Sequence, residues 1–405
     1  MKVLFSEGSS LTAREFLGVL GPSGHWIEVL DPSPTCICRF SRWTRKVHSC
    51  PASNTDPVGY LETVKRVFDT GSFDIYLPTH EQAWLLAEAG PELRGNTAAA
   101  VSSPEAFSQV QSKTAFARLL DTIGLPQPKW CVINSAETLN EHKAPFYLKA
   151  PYSTAGSGVR FVRTADDAEP AFESLRKHAS GQHIMLQSAA AGDYAQVQAL
   201  FDHGRLAACH TSKQTAVGIG PSAAGRMSVD HPFAREDATK LGKYLNWHGG
   251  ITLDYIYRGS DRLYIECNPR TVEPANAAAS GVDLPGLQLA LSLGEHPAEA
   301  PPGKTGIQTH SSLAVILGTA AYQGNRKAVL GKILDLLLRR KIFKVSREIL
   351  TPFRSDFPGL IPWIVTAAYA LVYPQSVFKL SQSSIERYQV THRAIEKLTS
   401  NRGSS

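Results

Sequence analysis

Apolar and polar positions change their period twice along this chain. In the first hundred residues, "MKVLFSE" and "HWIEVLD" are short apolar runs of strand length, and "FDIYLPTHEQAWLLAEAG" gives strand, turn and helix. After Gly8-Ser9-Ser10 a helical spacing runs through Leu20. Strands alternating with helices predict an open parallel sheet whose ligands bind at the carboxyl ends of the strands. Gly8 stands at such an end, but no G-x-G-x-x-G follows it, so a dinucleotide fingerprint is excluded. Between these units "CRFSRWTRKVHS" reads as a connection carrying Arg39, Arg42, Arg45, Lys46 and His48. It fits an anion-facing loop, an interdomain contact or a solvated basic face.

From Ser102 the pattern changes. "SSPEAFSQVQSKTAFARLLDTIGL" is helical, with Ser103 and Pro104 as its start signal. "PQPKWCVI", "APFYLKAP", "GVRFVRT" and "HIMLQSA" read as strands, and "DDAEPAFESLRKHAS" as a helix. Two long hairpins follow, turning at His203-Gly204 and at Gly259-Ser260. Antiparallel hairpins beside helices describe an α+β domain. Beyond about residue 310 the spacing is helical in "SSLAVILGTAAYQ", "NRKAVLGKILDLLLRRKIFKVSREIL" and "SSIERYQVTHRAIEKL". The expected division is 1–101, an open parallel α/β domain; 102–310, a two-part α+β clamp; 311–398, a helical C-terminal region; and 399–405, a disordered tail.

Residues 357–378 carry no charge, but Pro358, Pro362 and Pro374 interrupt them. A spanning helix needs about 20 apolar residues, so a buried or interfacial helix is expected. The basic "LLLRRKIFK" ahead of it adds peripheral contact with the inner membrane surface to the expectation. A length of 405 residues exceeds one ordinary core. The net charge of +6 suits anionic small molecules, and no basic stripe interleaved with aromatics argues for nucleic acid. Cys36, Cys38, Cys50 and His48 lack the paired spacing of zinc ligands. The N-terminus shows no signal-like apolar run, so a cytoplasmic location is expected.

Three features carry candidate chemistry. Lys149 ends a strand and is followed by Ser153, Thr154, Gly156, Ser157 and Gly158, small residues that let backbone N–H groups wrap phosphate oxygens. Lys113 opens a helix, where its charge gains nothing from the macrodipole unless an anion is near. In "RLYIECNPR", strict alternation puts Tyr264 and Glu266 on one face and Leu263 and Ile265 on the other, with Asn268 continuing the Glu266 face. Asp254 lies on the partner strand, and two facing carboxylates call for a cation between them. Carboxylate and amide oxygens suit Mg²⁺, and Arg270 close behind suits a phosphoryl group.

Lys113, then Lys149 with its glycine loop, then Asp254, then Glu266-x-Asn268-Pro269-Arg270 resemble the ATP-grasp superfamily. The nearest texture is its carboxylate–amine ligase and carbamoyl-phosphate-synthase-like branch, where the arginine is followed by a stretch ending like "SGVDLPGLQLALSLGE". The resemblance covers roughly residues 1–300. It implies an open α/β domain before the clamp, with ATP and Mg²⁺ (or Mn²⁺) bound. Lys113, Lys149 and the loop 153–158 would meet phosphates, and Asp254, Glu266 and Asn268 would hold metal. Arg270 and Lys149 would be catalytic. Gln187 would begin the adenine hinge, Asp193 would lie near the ribose, Lys213 and His210 would face the triphosphate or acceptor, and Glu273 would orient substrate. Many relatives carry an acid after the hinge glutamine, whereas Ser188 stands here. The implied reaction joins a small-molecule carboxylate to an amine through an acyl phosphate. A carboxylase or carbamoyl-phosphate enzyme is the alternative, although "RTVEP" lacks the Gln-Val-Glu-His of biotin carboxylases. A catalytically silent, membrane-associated nucleotide binder is the other, and a homodimer is a further expectation.

Overall fold

The computed structural model describes residues 1–153, 156–179, 183–219, 222–377 and 390–400. Strands Lys2–Phe5, Trp26–Asp31, Thr44–Ser49 and Ile75–Leu77 form a parallel sheet in the order third, second, first, fourth. Helices start where side chains satisfy their free N–H groups: Ser10 caps Leu11–Leu20 and Asp56 caps Pro57–Gly71. The basic stretch is not simply a connection. Strand Thr44–Ser49 runs through it, and as an edge strand it buries so little that the apolar pattern of a strand is missing. Its basic groups do not converge. Arg45 lies over the Trp26 ring, Arg42 over Trp43, and His48 Nε2 meets Glu28 Oε2 at 2.6 Å.

The second region holds two sheets. Trp130–Ile133, Ile184–Ser188, Phe146–Lys149 and Val159–Val162 pair antiparallel in that order, with helix Ala168–Ala179 against them. The larger sheet runs Asp261–Asn268, Gly249–Arg258, Asp193–Asp202, Arg205–Val217, Ala223–Val229, Gln308–His310, Arg347–Glu348. Helix Pro232–Leu245 packs Ala234, Ala238 and Leu241 on one face with Ala195, Val197 and Tyr255. Helices Ala275–Ser280 and Leu284–Ser292 pack on the other, around Leu200 and Ala208.

The single helix expected from Ser102 divides in two. Pro104–Gln111 and Lys113–Ile123 meet at Ser112, whose extended backbone (ψ 132°) breaks the ladder and makes Lys113 the first residue of the second helix. In the C-terminal region Ser312–Gln323, Arg326–Leu337 and Leu360–Val372 form a layer around Ile316, Ile333, Trp363 and Ala367. The helix starting at Arg326 ends at Leu337 rather than running on through the basic stretch. Among the described residues no helix is long and apolar enough to cross a membrane.

Two contacts return the chain's end to its beginning. Helix His392–Ser400 packs Ala394, Ile395 and Leu398 against the first domain, and Val390 N–H donates to Glu81 Oε2 at 2.8 Å. Asp356 accepts from Arg14 Nη2 at 2.5 Å, Ser41 Oγ at 2.6 Å and the Arg42 N–H at 2.7 Å.

Candidate active site

The hairpin of Gly249–Arg258 and Asp261–Asn268 sets the floor of the site. Thr252 stands opposite Asn268 and Asp254 opposite Glu266, but the register then slips, so Tyr255 faces Tyr264 and Ile265 is the extra residue. This bulge corrects the strict alternation expected for "RLYIECNPR". Glu266 and Asn268 do share a face, whereas Tyr264 turns to the opposite one and donates its hydroxyl to Asp237 at 2.9 Å. Leu263 moves to the Glu266 side, opposite Ile256.

Lys149 reaches this floor from the smaller sheet, and Lys113 from the first turn of helix Lys113–Ile123, which packs Phe116 and Leu120 in the larger sheet's core. Lys113 Nζ lies 3.1 Å from Glu266 Oε1 and donates to Ser153 O at 2.9 Å and Ser153 Oγ at 3.1 Å. Lys149 Nζ donates to Gln187 Oε1 at 2.6 Å and to the bulged Ile265 carbonyl at 3.0 Å. Both are buried. Burial lowers the Lys149 ammonium to about 8, with Lys113 adding to the fall and Glu266 and Asp254 resisting it. Two glycines of the loop stand where a side chain would be strained or crowded. Gly156 takes φ +74°, and a Cβ on Gly158 would stand 2.5 Å from Ser153 Cβ. Thr154 lies outside the described residues.

Asp254 is buried, and its carboxyl is pushed up to about 7, first by burial and then by Glu266. Tyr194 hydrogen-bonds to it, and Asn268 Nδ2 donates to its Oδ2 at 3.3 Å. Burial would raise Glu266 as well, but Lys113, Lys149 and Arg270 together hold it below the usual carboxylate range. A buried acid that resists ionisation, next to a charged acid and an amide oxygen, is a donor set that a divalent cation would complete. The Asp254 and Glu266 carboxylates therefore fit Mg²⁺, whereas Asn268, with Nδ2 toward Asp254 and Oδ1 toward Arg270, joins them only with its amide turned over.

Arg270 Nη1 donates to Asn268 Oδ1 at 3.0 Å, and Nη2 meets His80 Nε2 at 2.9 Å. Its Nε is buried without a hydrogen-bond partner among the described residues. His80 follows the first domain's last strand, so that domain reaches into the site. Burial and Arg270 keep its imidazole well below its ordinary pKa. The sequence reading missed His80, although its place beyond the end of a parallel strand was the available signal. It also missed Arg226, whose Nη2 pairs with Glu273 Oε2 at 2.8 Å. Glu15, also buried, accepts from Ala275 N–H at 3.0 Å; burial and then Glu273 raise its carboxyl to about 8. Glu15, Arg226 and Glu273 line one pocket.

Beyond Glu266, toward the hairpin turn, Pro126, Ala191, Ile256 and Leu263, with Arg258, Asp261 and Arg262, line a cleft of about 530 Å³. It adjoins the segment after Gln187. Two of the expected site residues point elsewhere. Gln196 pairs with Asp254 and Ser212 with Gln196, so Lys213, one position out of phase, faces the opposite side of the sheet, near His231. Asp193 pairs with Tyr257 and is likewise out of phase with Asp254. Period-two alternation moves both away from the floor. His210 does face the site side, but its ring is engaged by Asn276 at 2.9 Å and Ser280 at 3.3 Å.

No family model matches the chain. Among curated proteins it is 26% identical over 177 residues to the acetyl-CoA carboxylase of Dictyostelium discoideum, covering 40% of this chain and 8% of that protein. It is 26% identical over 216 residues to the carbamoyl phosphate synthase large chain of Rubrobacter xylanophilus, covering 48% and 20%. The match thus spans a fifth or less of these relatives' length. Among solved structures, the biotin carboxylase–β,γ-ATP complex of Campylobacter jejuni superposes with TM-score 0.59 at 17% identity, covering 76% of this chain and 74% of that one. The N5-carboxyaminoimidazole synthetase of Staphylococcus aureus, complexed with ADP, gives 0.59 at 12%, covering 80% and 86%. The L-amino acid ligase of Bacillus licheniformis gives 0.57 at 13%, covering 73% and 75%. With its smaller and larger sheets meeting where Lys149 reaches Ile265 and Glu266, behind an open parallel α/β domain, this chain shares the fold of these carboxylase, synthetase and ligase structures.

Proposed function

We propose that the chain is an ATP-dependent ligase that activates a carboxylate as an acyl phosphate and joins it to an amine. The observation that carries this reading is the convergence of Lys149, from the smaller sheet, and Lys113, from the start of its helix, on Ile265 and Glu266 of the larger sheet, with Asp254, Asn268 and Arg270 beside them. In this reading Lys113, Lys149, Ser153, Gly156, Ser157 and Gly158 hold phosphates. The cleft at Ile256 and Leu263 takes the adenine, with Gln187 and the backbone after it along one edge. Asp254, Glu266 and Asn268 hold Mg²⁺, which would neutralise polyphosphate charge.

A carboxylate oxygen of the substrate attacks the γ-phosphorus as the bond to the ADP oxygen breaks. The amine nitrogen then attacks the acyl carbon, inorganic phosphate leaves, and the nitrogen gives up a proton. Arg270, oriented by His80 and Asn268, offsets charge on the transferred group, and the fixed lysines supply positioning. Arg226 with Glu15 and Glu273 offers both signs of charge to the acceptor end. The likeness to acetyl-CoA carboxylase and biotin carboxylase supports a second reading, in which bicarbonate is the carboxylate. ADP release from Mg–ATP, screened against pools of amino acids, carboxylates and bicarbonate, tests both. Release that needs an acid together with an amine supports the ligase; release with bicarbonate supports the second reading. No stimulated release from any pool, in protein shown to bind ATP, overturns both.

For the C-terminal layer we propose peripheral contact with an anionic membrane surface. Leu330, Leu334, Leu337 and Leu338 are exposed along one helix face, and Ile361, Ile364 and Val365 along another. Exposed Lys327, Arg339, Arg340, Lys341 and Lys344 accompany them, which gives the charge complementarity that anionic lipid needs. Sedimentation with phosphatidylglycerol vesicles but not neutral ones, lost in Leu334→Glu, is the expected result. A soluble homodimer that Leu334→Glu dissociates, with no vesicle binding, would assign the face to a second copy instead.

A further inference from the structure

At the far end of the large sheet from the ATP floor, three loops bring imidazoles around one carboxylate. Asp202 ends its strand, and His203 occupies the turn to the next with φ +46°. His248 lies between helix Pro232–Leu245 and the following strand, and His296 lies in the loop after Leu284–Ser292. Asp202 is six residues beyond Gln196, the partner of Asp254, so the cluster stands about 20 Å from the floor.

The donors are held in place by the backbone. Gly204 N–H donates to the Trp247 carbonyl at 2.7 Å, which ties the turn to the segment bearing His248. Gly249 takes φ +95°, and a Cβ there would stand 2.5 Å from the Ala100 carbonyl oxygen. Arg205 Nη1 donates to Pro297 O at 2.9 Å, which ties in the loop bearing His296. One ligating atom from each of Asp202, His203 and His248 lies within 4.8 Å of the others. The His203 and His248 rings stack at 4.2 Å, 11° from parallel, so one ring must turn for both in-plane lone pairs to meet on one ion.

The hydrogen bonds leave two atoms over. Asp202 Oδ2 takes both Arg205 Nη2 and His296 Nδ1 at 2.8 Å. Asp202 Oδ1 faces His248 Nδ1 at 3.8 Å, and that nitrogen is buried without a hydrogen-bond partner among the described residues. A separation of 3.8 Å is too long for a hydrogen bond. It is close to the roughly 3.3–3.6 Å between two ligands of one tetrahedral ion with bonds near 2.0–2.2 Å.

We propose that Asp202, His203 and His248, with His296 as the swing fourth donor, bind a first-row transition metal of the Zn²⁺ type. Imidazole donors with one carboxylate select Zn²⁺, Co²⁺ or Ni²⁺ over Mg²⁺, so this site and the ATP floor draw on different ions. The ion would staple three loops beside the 100–102 linker, which His248 also touches through its N–H to Ser102 Oγ at 3.4 Å.

The test is titration of the tag-free full chain with Co²⁺ followed by Zn²⁺, read by visible absorption and thermal shift. One equivalent of Co²⁺ giving four-coordinate d–d bands that Zn²⁺ bleaches, with a raised Tm, is expected. His203→Asn, which keeps a turn-compatible residue, and His248→Ala should each weaken binding roughly tenfold or more. No cobalt spectrum in the parent, or the same affinity and stoichiometry in parent and both variants, overturns the site.

Discussion

Asp356→Ala is the perturbation whose cost can be worked most fully from the structure. Arg14 is fully buried, its Nε and Nη1 have no hydrogen-bond partner among the described residues, and Asp356 is its counter-ion at 2.5 Å. Removing one partner of a buried ion pair costs about 3–5 kcal/mol, because the remaining charge is stranded. The Ser41 hydroxyl and the Arg42 N–H lose the same acceptor, and each unsatisfied buried donor adds about 1 kcal/mol or more. Water reaches the half-buried Arg42 N–H, so about 4–6 kcal/mol is expected in all. That is a large share of a domain's typical 5–15 kcal/mol. Urea denaturation of the parent, Asp356→Ala, Arg14→Met and Arg14→Met/Asp356→Leu gives the cycle. The double variant should fall within about 2 kcal/mol of the parent, since an apolar pair strands no charge. A cost below 1 kcal/mol for Asp356→Ala, or a double variant as unstable as the single, would refute the reasoning.

Glu7 predicts a pH dependence of stability. Its carboxyl is raised from 4.5 to about 7, mainly by burial, with Ser10 and Thr79 bonds opposing. Between those values the folded chain keeps a proton that the unfolded chain releases, so stability is full below about pH 4.5 and declines toward pH 7 by up to about 3 kcal/mol. Glu7→Gln should remove this share of the decline, leaving that from Glu15 and Asp254, and exceed the parent's Tm at pH 8; an identical slope in both proteins contradicts it. His80→Ala should lower kcat for ADP release by about tenfold to a hundredfold with KM for ATP little changed, because it orients Arg270 rather than the nucleotide. A change confined to KM would place His80 in nucleotide binding instead.

Much of the floor was legible because alternation and charge act locally. Asp254 faces Glu266 and Asn268 shares its side, as the two strands imply. What local pattern could not show was phase. The bulge at Ile265 leaves no mark in composition, yet it turns Tyr264 away and supplies the carbonyl that receives Lys149. Phase also removed Lys213 and Asp193, which sit on suitable strands but on the other face. Edge strand Thr44–Ser49 was hidden by its charges, and the break at Ser112 by an unbroken helical spacing on both sides. Contacts made over long sequence separations, such as His80 with Arg270 and Arg14 with Asp356, have no local signature at all.

We propose that Lys149 and Glu266 belong to one Mg–nucleotide site. Equilibrium titration of the full chain with Mg–ATP, alongside Lys149→Met and Glu266→Gln of verified fold, tests it directly. The account predicts saturable, Mg²⁺-dependent binding in the parent and affinity at least about tenfold weaker in each variant, the loss of a charged contact to phosphate or metal. Equal affinity in parent and both variants would contradict it.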